Sequence, residues 1–238
     1  MDRENRRMSL AKAAAGRLAA SLVQDGMALG LGTGSTVAFF LEALAERMRG
    51  EGLRLRGVPT SLDTERRCRE LGLPLAGLEE LEHLDLTIDG ADEIDPQFRL
   101  IKGGGGALLR EKVVAQQSRE VVIVVDPKKR VARLGTTFAL PVEVVPFALA
   151  PVLRAVRALG ANPVQRGAHA LPPYRTDNGN AVLDLSFPDG IADPEALEQR
   201  LKSIAGVVEV GLFIGLAHGV IVGFEDGRAE YEPRRGPV

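Results

Sequence analysis

This 238-residue sequence is short of several things, and each shortage removes a class of function. It has one cysteine, Cys68, so an intramolecular disulfide and a cysteine cage for a metal are excluded, and the chain reads as cytoplasmic. Cys68 itself reads as a small buried hydrophobe. The three histidines, His83, His169 and His218, are scattered without H-x-x-x-H or H-x-x-E pairing, which argues against a metal site. An excess of one charge is also missing. Thirty basic and thirty-two acidic side chains leave a net charge of −2, so no global field draws nucleic acid or an anionic membrane, and an anion must be caught locally. The longest uncharged stretch, GMALGLGTGSTVAFFL, is shorter than the ~20 apolar residues of a membrane helix and is rich in Gly, Ser and Thr. The opening MDRENRRMSLAKAAAGRLAASL carries charges of both signs and no cleavage site, and reads as mature sequence. There is no G-x-S-x-G elbow for a serine nucleophile and no G-x-x-x-x-G-K-[ST] nucleotide loop.

What is present is an alternation of strands and helices. Leu10, Ala14, Leu18 and Leu22 recur every four residues and predict an amphipathic first helix that Gly26 ends. MALGLG reads as a buried strand, followed by a glycine turn and a helix with Val37, Phe40, Leu41, Leu44 and Met48 on one stripe. LRLRGVPTS, LDLTIDG and the short FRLIK read as further strands, LDTERRCRELG and ALLREKVVAQQS as helices. VVIVVDP is so uniformly apolar that both its faces must be covered. The pattern predicts a Rossmann-like α/β fold, a parallel sheet with helices on both faces, whose ligands sit beyond the carboxyl ends of the strands. From about Thr136 the order becomes β-α-β-β-α-β, a ferredoxin-like α+β unit with TDNGN as a turn. GVIVGFEDG and the tail then return to the first sheet. The expected division is a catalytic domain over 1–135 and 215–238 with an inserted domain over 136–214.

Two glycine loops and an acidic turn carry the chemistry. GLGTGST, Gly30 to Thr36, lies between a strand and a helix, so its amides and the helix N-terminus form an anion seat, with hydroxyls from Thr33, Ser35 and Thr36. Its spacing is not G-x-G-x-x-G, and the second strand ends without an acid for a ribose, so a single phosphate ester fits better than a dinucleotide. A tight turn capped by Ser35 or Thr36 is the alternative. Asp89 ends the third strand, Gly90 permits a turn, and Asp92 follows; two close carboxylates supply one acid and one base at neutral pH. Glu93 and Asp95 read as surface charge on the same turn. Lys102 precedes Gly103, Gly104, Gly105 and Gly106, and four glycines in a row imply close approach of backbone to a ligand, with Lys102 as the electrophile for an enolate oxygen or, alternatively, one half of a structural salt bridge. Glu111 sits on the following helix, facing either the crevice or a surface lysine. Carboxylates, a lysine and an anion seat suit metal-free proton transfer beside a carbonyl in a phosphorylated substrate.

GLGTGST, DGADEID, KGGGGALLREK and VVDPKK, followed by PVEVVP and TDNGN, closely resemble ribose-5-phosphate isomerase of type A in this same order from about Lys12 to Gly223. The resemblance implies interconversion of ribose 5-phosphate and ribulose 5-phosphate through an enediol, without cofactor or metal, in the non-oxidative pentose phosphate pathway. By resemblance, Glu111 is the base between C1 and C2, Asp89 and Asp92 open the ring and relay protons, and Lys102 steadies the enediolate. Thr33, Gly34, Ser35 and Thr36 match the phosphate loop; Gly90, Ala91, Gly103, Gly104 and Gly105 line the sugar; Lys12 and Lys129 reach the substrate. The resemblance also implies a homodimer or homotetramer. The charged tail AEYEPRRGPV is the one departure. A non-catalytic sugar-phosphate sensor is the alternative, disfavoured because only about 25 residues precede the first strand, too few for a DNA-binding helix-turn-helix. A phosphoribosyltransferase, prompted by VVIVVDPKK, lacks the paired acids and Thr-Gly expected at that strand end. Abundant Arg, Leu and Pro with few Asn and Gln hint at a heat-adapted source.

Overall fold

Short apolar runs become strands, and longer periodic ones become helices. The computed structural model describes residues 3–235; Gly236, Pro237 and Val238 of the charged tail lie outside the described residues. In chain order the elements begin with α1 (Arg3–Ser21), β1 (Ala28–Leu31), α2 (Ser35–Glu51), β2 (Arg56–Pro59), α3 (Leu62–Leu71) and β3 (Leu84–Gly90). Two short strands follow, β4 (Glu93–Ile94) and β5 (Leu100–Ile101), then α4 (Leu108–Gln116), β6 (Ser118–Val125) and β7 (Leu140–Val144). The chain continues through α5 (Leu149–Ala158), β8 (Asn162–Gln165), β9 (Ala181–Ser186) and α6 (Pro194–Lys202). It closes with β10 (Val207–Val210), β11 (Leu212–Phe213), β12 (Gly219–Gly223) and β13 (Ala229–Pro233). These residues pack as two compact units, one formed by the chain up to Ala91, Arg110–Lys129 and the chain from Leu216, the other by Asp92–Leu109 and Arg130–Gly215. Among the described residues no helix is long and apolar enough to cross a membrane.

The first unit contains a six-stranded sheet in the order β13-β12-β6-β3-β1-β2. All neighbours run parallel except β12 and β13. Val121 to Val125 of β6 are all buried, as an apolar strand covered on both faces requires. β1 lies between β2 and β3, so successive connections leave it in opposite directions. The strand order therefore reverses between β1 and β3, and a doubly wound sheet opens a ligand crevice at the carboxyl ends flanking such a reversal.

Of the expected Leu10–Ala14–Leu18–Leu22 stripe, Ala14 is buried and Leu18 and Leu22 pack against the core, but Leu10 faces outward. Leu10 is 46% exposed, while Ala11, Ala14, Ala15 and Ala19 are buried. Close packing is the reason. A Cβ on Gly16 would stand 2.6 Å from the backbone nitrogen of Phe40 in α2, and Gly223 of β12 abuts the Ala11 carbonyl, so only small side chains fit along this face.

The second unit contains a four-stranded antiparallel sheet, β10-β7-β9-β8. With α5 and α6 it forms the β-α-β-β-α-β unit. Val142, Val144, Val152, Val156, Leu183 and Leu201 are in its core. The FRLIK strand does not join the parallel sheet. Only Leu100 and Ile101 of it are in a strand, the middle one of a three-stranded sheet, β11-β5-β4, paired antiparallel with both neighbours. The protein is thus a mixed α/β fold: a largely parallel sheet flanked by helices and a separate antiparallel sheet.

Candidate active site

The first glycine loop grows from the end of β1. Gly32 has no room for a side chain, since a Cβ there would run into the Asp89 carboxylate. Gly34 has φ +124°, a conformation L side chains rarely adopt, and it is the residue that caps α2. The cap is therefore neither Ser35 nor Thr36. Gly34 makes no side-chain cap bond, and Gly34 and Ser35 are exposed at the N-terminus of α2, the positive end of the helix dipole. Lys12 of α1 adds a cation, its Nζ donating to Ser35 Oγ at 2.9 Å. Together these groups make a seat for a small anion.

The Thr33 hydroxyl points into a polar cluster that the sequence reading missed. Thr33 Oγ1 lies 2.8 Å from Thr60 Oγ1, 2.8 Å from Ser61 Oγ and 3.1 Å from Thr64 Oγ1. Thr64 Oγ1 donates to the Gly32 carbonyl at 2.8 Å, and Thr60, Ser61 and Thr64 are all buried. The cluster ties the loop to the start of α3, whose N-cap is Ser61. VPTSLDT carries the hydroxyls, and the N-cap signal was readable there, but nothing local reveals that they meet Thr33. The backbone N–H of Thr33 donates to Asp89 Oδ1 at 3.1 Å, and Gly90 N–H donates to the same oxygen at 2.7 Å. Asp89, 2% exposed, is thereby held next to the anion seat at the strand reversal.

Two further groups belong to this unit. Glu111, in the first turn of α4, is 5% exposed rather than a surface charge. Lys129 is half-buried in the 3₁₀ turn Pro127–Lys129 beyond β6. Cys68 is fully buried in α3; burial, and secondarily the charge of Glu65, pushes its thiol up to about 12, so it is no nucleophile.

The second unit holds the other set. Asp92 and Lys102 flank β4 and β5, and the Asp92 N–H donates to the Ile101 carbonyl at 2.8 Å. Lys102 is 3% exposed, with its backbone N–H on the Gly211 carbonyl at 2.9 Å and its Nζ 5.4 Å from the centroid of the Phe213 ring, a cation–π distance. The glycine run then makes a turn, Gly106 N–H to Gly103 carbonyl at 2.9 Å, with φ +105° at Gly103 and +79° at Gly106. Gly104 N–H donates to Asp92 Oδ2 at 2.8 Å.

Glu93 and Asp95 are not the surface charges expected of them. Glu93 Oε1 accepts from the Thr137 N–H, the Thr137 hydroxyl and the Phe138 N–H at 2.6–2.8 Å, and Oε2 from Gly135 N–H at 2.6 Å. Asp95 accepts from Gln97 and Arg99 N–H and from Arg99 Nε at 2.7–3.0 Å. Both are buried because backbone donors satisfy them, which makes them anchors of the acidic turn. Sequence reasoning also missed Arg166, whose Nη1 donates to the carbonyls of Gly103 and Gly104. An arginine just past a short strand carries no local signal of such a role.

With this geometry in view, a family model described as ribose 5-phosphate isomerase A (phosphoriboisomerase A) matches residues 56–227. The chain belongs to this family. Among ribose-5-phosphate isomerase A proteins, that of Thermosynechococcus vestitus is 49% identical over 216 residues, 90% of this chain and 89% of the relative. The structure of ribose 5-phosphate isomerase A from Methanocaldococcus jannaschii superposes with a TM-score of 0.88 at 40% identity, covering 94% of this chain and 98% of that one. A D-ribose-5-phosphate isomerase solved in complex with phospho-erythronic acid gives 0.90 at 34% identity, covering 98% and 100%.

Proposed function

We propose that this chain interconverts ribose 5-phosphate and ribulose 5-phosphate, a step of the non-oxidative pentose phosphate pathway. The observation that carries this reading is the bond from Thr33 N–H to Asp89, which joins an anion seat to a buried carboxylate at the strand reversal. Family membership supports the same reaction, and the complex of a relative with phospho-erythronic acid supports a phosphorylated sugar as the ligand class. The sensor alternative gains no support from these relatives.

In this reading the substrate phosphate sits on the loop Thr33, Gly34, Ser35 and Thr36, taken up by backbone amides at the start of α2 and the hydroxyls of Ser35 and Thr36 while Thr33 anchors the loop from beneath, with Lys12 and Lys129 reaching the substrate. Asp89 and Asp92 move hydroxyl protons as the furanose ring opens, and Gly90, Ala91 and Gly103 to Gly105 line the sugar. Glu111 takes the proton from C2 of the open aldose. The C2–H electrons form a C1=C2 bond as the carbonyl pair moves to O1, and Lys102 bears the resulting enediolate charge; a proton then passes from O2–H to O1, and Glu111 returns its proton to C1 as O2 becomes the ketone oxygen. A buried base and a buried ammonium suit this, because electrostatic stabilisation is strongest where water is excluded. The same reading carries a cytoplasmic homodimer or homotetramer, supported by family resemblance and the lone buried thiol.

The deciding experiment mixes chelator-treated protein with ribose 5-phosphate and follows the ketose. Conversion in both directions is expected. A protein that binds the sugar phosphate without turning it over would return the sensor reading to first place.

A further inference from the structure

The glycine run of the second unit is held by a side chain that no motif announces. Arg166, one residue past β8, is gripped by Asp184 of β9: Nε donates to Oδ2 at 2.9 Å and Nη2 to Oδ1 at 2.5 Å. Two parallel bonds to one carboxylate fix the plane of the guanidinium. Its third nitrogen, Nη1, then donates to the Gly103 carbonyl at 3.0 Å and the Gly104 carbonyl at 3.1 Å. Tyr174 reinforces the grip. Its ring centroid lies 5.6 Å from the guanidinium carbon, its hydroxyl is 3.5 Å from the Gly105 carbonyl, and a Cβ on Gly106 would collide with that hydroxyl.

The consequence falls on Asp92. Four glycines in succession are the most conformationally free segment a chain can have, so their geometry must be imposed from outside. Once the carbonyls of Gly103 and Gly104 are fixed, the Gly104 N–H has one direction, and it points at Asp92 Oδ2, 2.8 Å away. Close approach enforces the choice of residue, since a Cβ on Gly104 would stand 2.6 Å from Asp92 Oδ1. The chain of contacts runs from Asp184 through Arg166 and the glycine peptide to the carboxylate.

We propose that Arg166 is a positioning residue for the isomerisation: it orders the Gly103–Gly104 peptides so that the Gly104 N–H orients Asp92 for proton transfer to the sugar, with Asp184 and Tyr174 holding Arg166. This rests on the role proposed for Asp92. Arg166 acts through the peptide, so its loss slows turnover while the phosphate seat, built from other residues, keeps its affinity.

The test uses Arg166→Met and Arg166→Lys in the full chain, with thermal unfolding as the check on folding. Arg166→Met should lower kcat about 10–100-fold and leave KM within about threefold, the size of effect a slight misplacement of a reacting group produces. Added guanidinium ion should restore part of the lost rate. Hydrogen exchange at Gly103–Gly106 should quicken in the same variant. Arg166→Lys keeps the charge facing Asp184 but cannot bridge both carbonyls; it should melt with the wild type and still lose about 5–20-fold in kcat. It decides the matter if the Met variant does not fold. The proposal is overturned if a folded variant keeps its kcat, if only KM changes, if exchange in the glycine run is unaltered, or if neither variant folds. Should the wild-type protein show no isomerisation, the activity reading fails separately, and the exchange measurement still decides whether Arg166 orders the loop.

Discussion

The two glycine loops are anchored by different chemistry. Gly32–Thr36 in the first unit is tied down by neutral hydroxyls, Thr33 with Thr60, Ser61 and Thr64, whereas Gly103–Gly106 in the second is tied down by the Arg166–Asp184 ion pair. The contrast follows from what each loop offers. The first takes its charged contact through the backbone, Thr33 N–H to Asp89 Oδ1, and rests its one anchoring side chain on hydroxyls alone. In the second, a guanidinium satisfies two carbonyls at once and leaves the Gly104 N–H for Asp92. Glycine permits both conformations; the anchors select among them.

The largest effect expected sets a scale for both anchors. Glu111→Gln should lower kcat by about 10²–10⁴-fold with KM little changed, the contribution of a positioned general base. Steady-state kinetics on a variant with wild-type melting behaviour checks it, and near-normal turnover would remove Glu111 as the base. Next come the glycines themselves. Gly106→Ala meets both a left-handed backbone and the Tyr174 hydroxyl, and should cost about 2–4 kcal/mol in denaturant unfolding, while Gly34→Ala, in open space, meets only backbone strain and should cost about 1–2 kcal/mol. Equal losses would mean that Tyr174 yields without resistance.

Thr64→Val probes the neutral anchor. It removes the donor to the Gly32 carbonyl and should cost about 1–3 kcal/mol in stability. The loosened seat should raise KM about tenfold with kcat kept, and Thr64→Ser should restore it. A fall in kcat alone would erase the distinction between the loops. The smallest effect belongs to a control in neither loop. Hydrogen bonds from the Arg54 side chain, then its backbone N–H, hold the exposed Asp25 carboxyl at about 2, below its ordinary 3.8. A lowered carboxyl pKa contributes stability that is present above 3.8 and lost as pH falls through about 2. Unfolding curves of wild type and Asp25→Asn should therefore converge over that acidic window, with kcat and KM unaltered at neutral pH.

Several features could be read one residue at a time. The apolar run of β6 announced a strand covered on both faces, and glycines before α2 announced a turn that other residues resist. Asp89 could be assigned to a strand end because the LDLTI run stops there and Gly90 follows. The inward face of α1 could be read only in part: Ala14, Leu18 and Leu22 do meet the core, but Leu10 faces out, and Gly16, Ala11 and Ala15 are inside because α2 and β12 come too close there for anything larger. Glu93 likewise looked like solvent-facing charge. Its four donors come from Gly135, Thr137 and Phe138, some forty residues away, and no local pattern reports them.

Periodicity, glycine placement and strand ends are local properties of the backbone, so the alternating architecture and the positions of both loops were determined by the amino acids in order. Which polar groups are buried, and which partners satisfy them, depends on segments that meet only after folding. Thr64 beneath the first loop and Arg166 beneath the second were decided there, because a hydrogen bond requires two groups within about 3 Å whatever their separation along the chain.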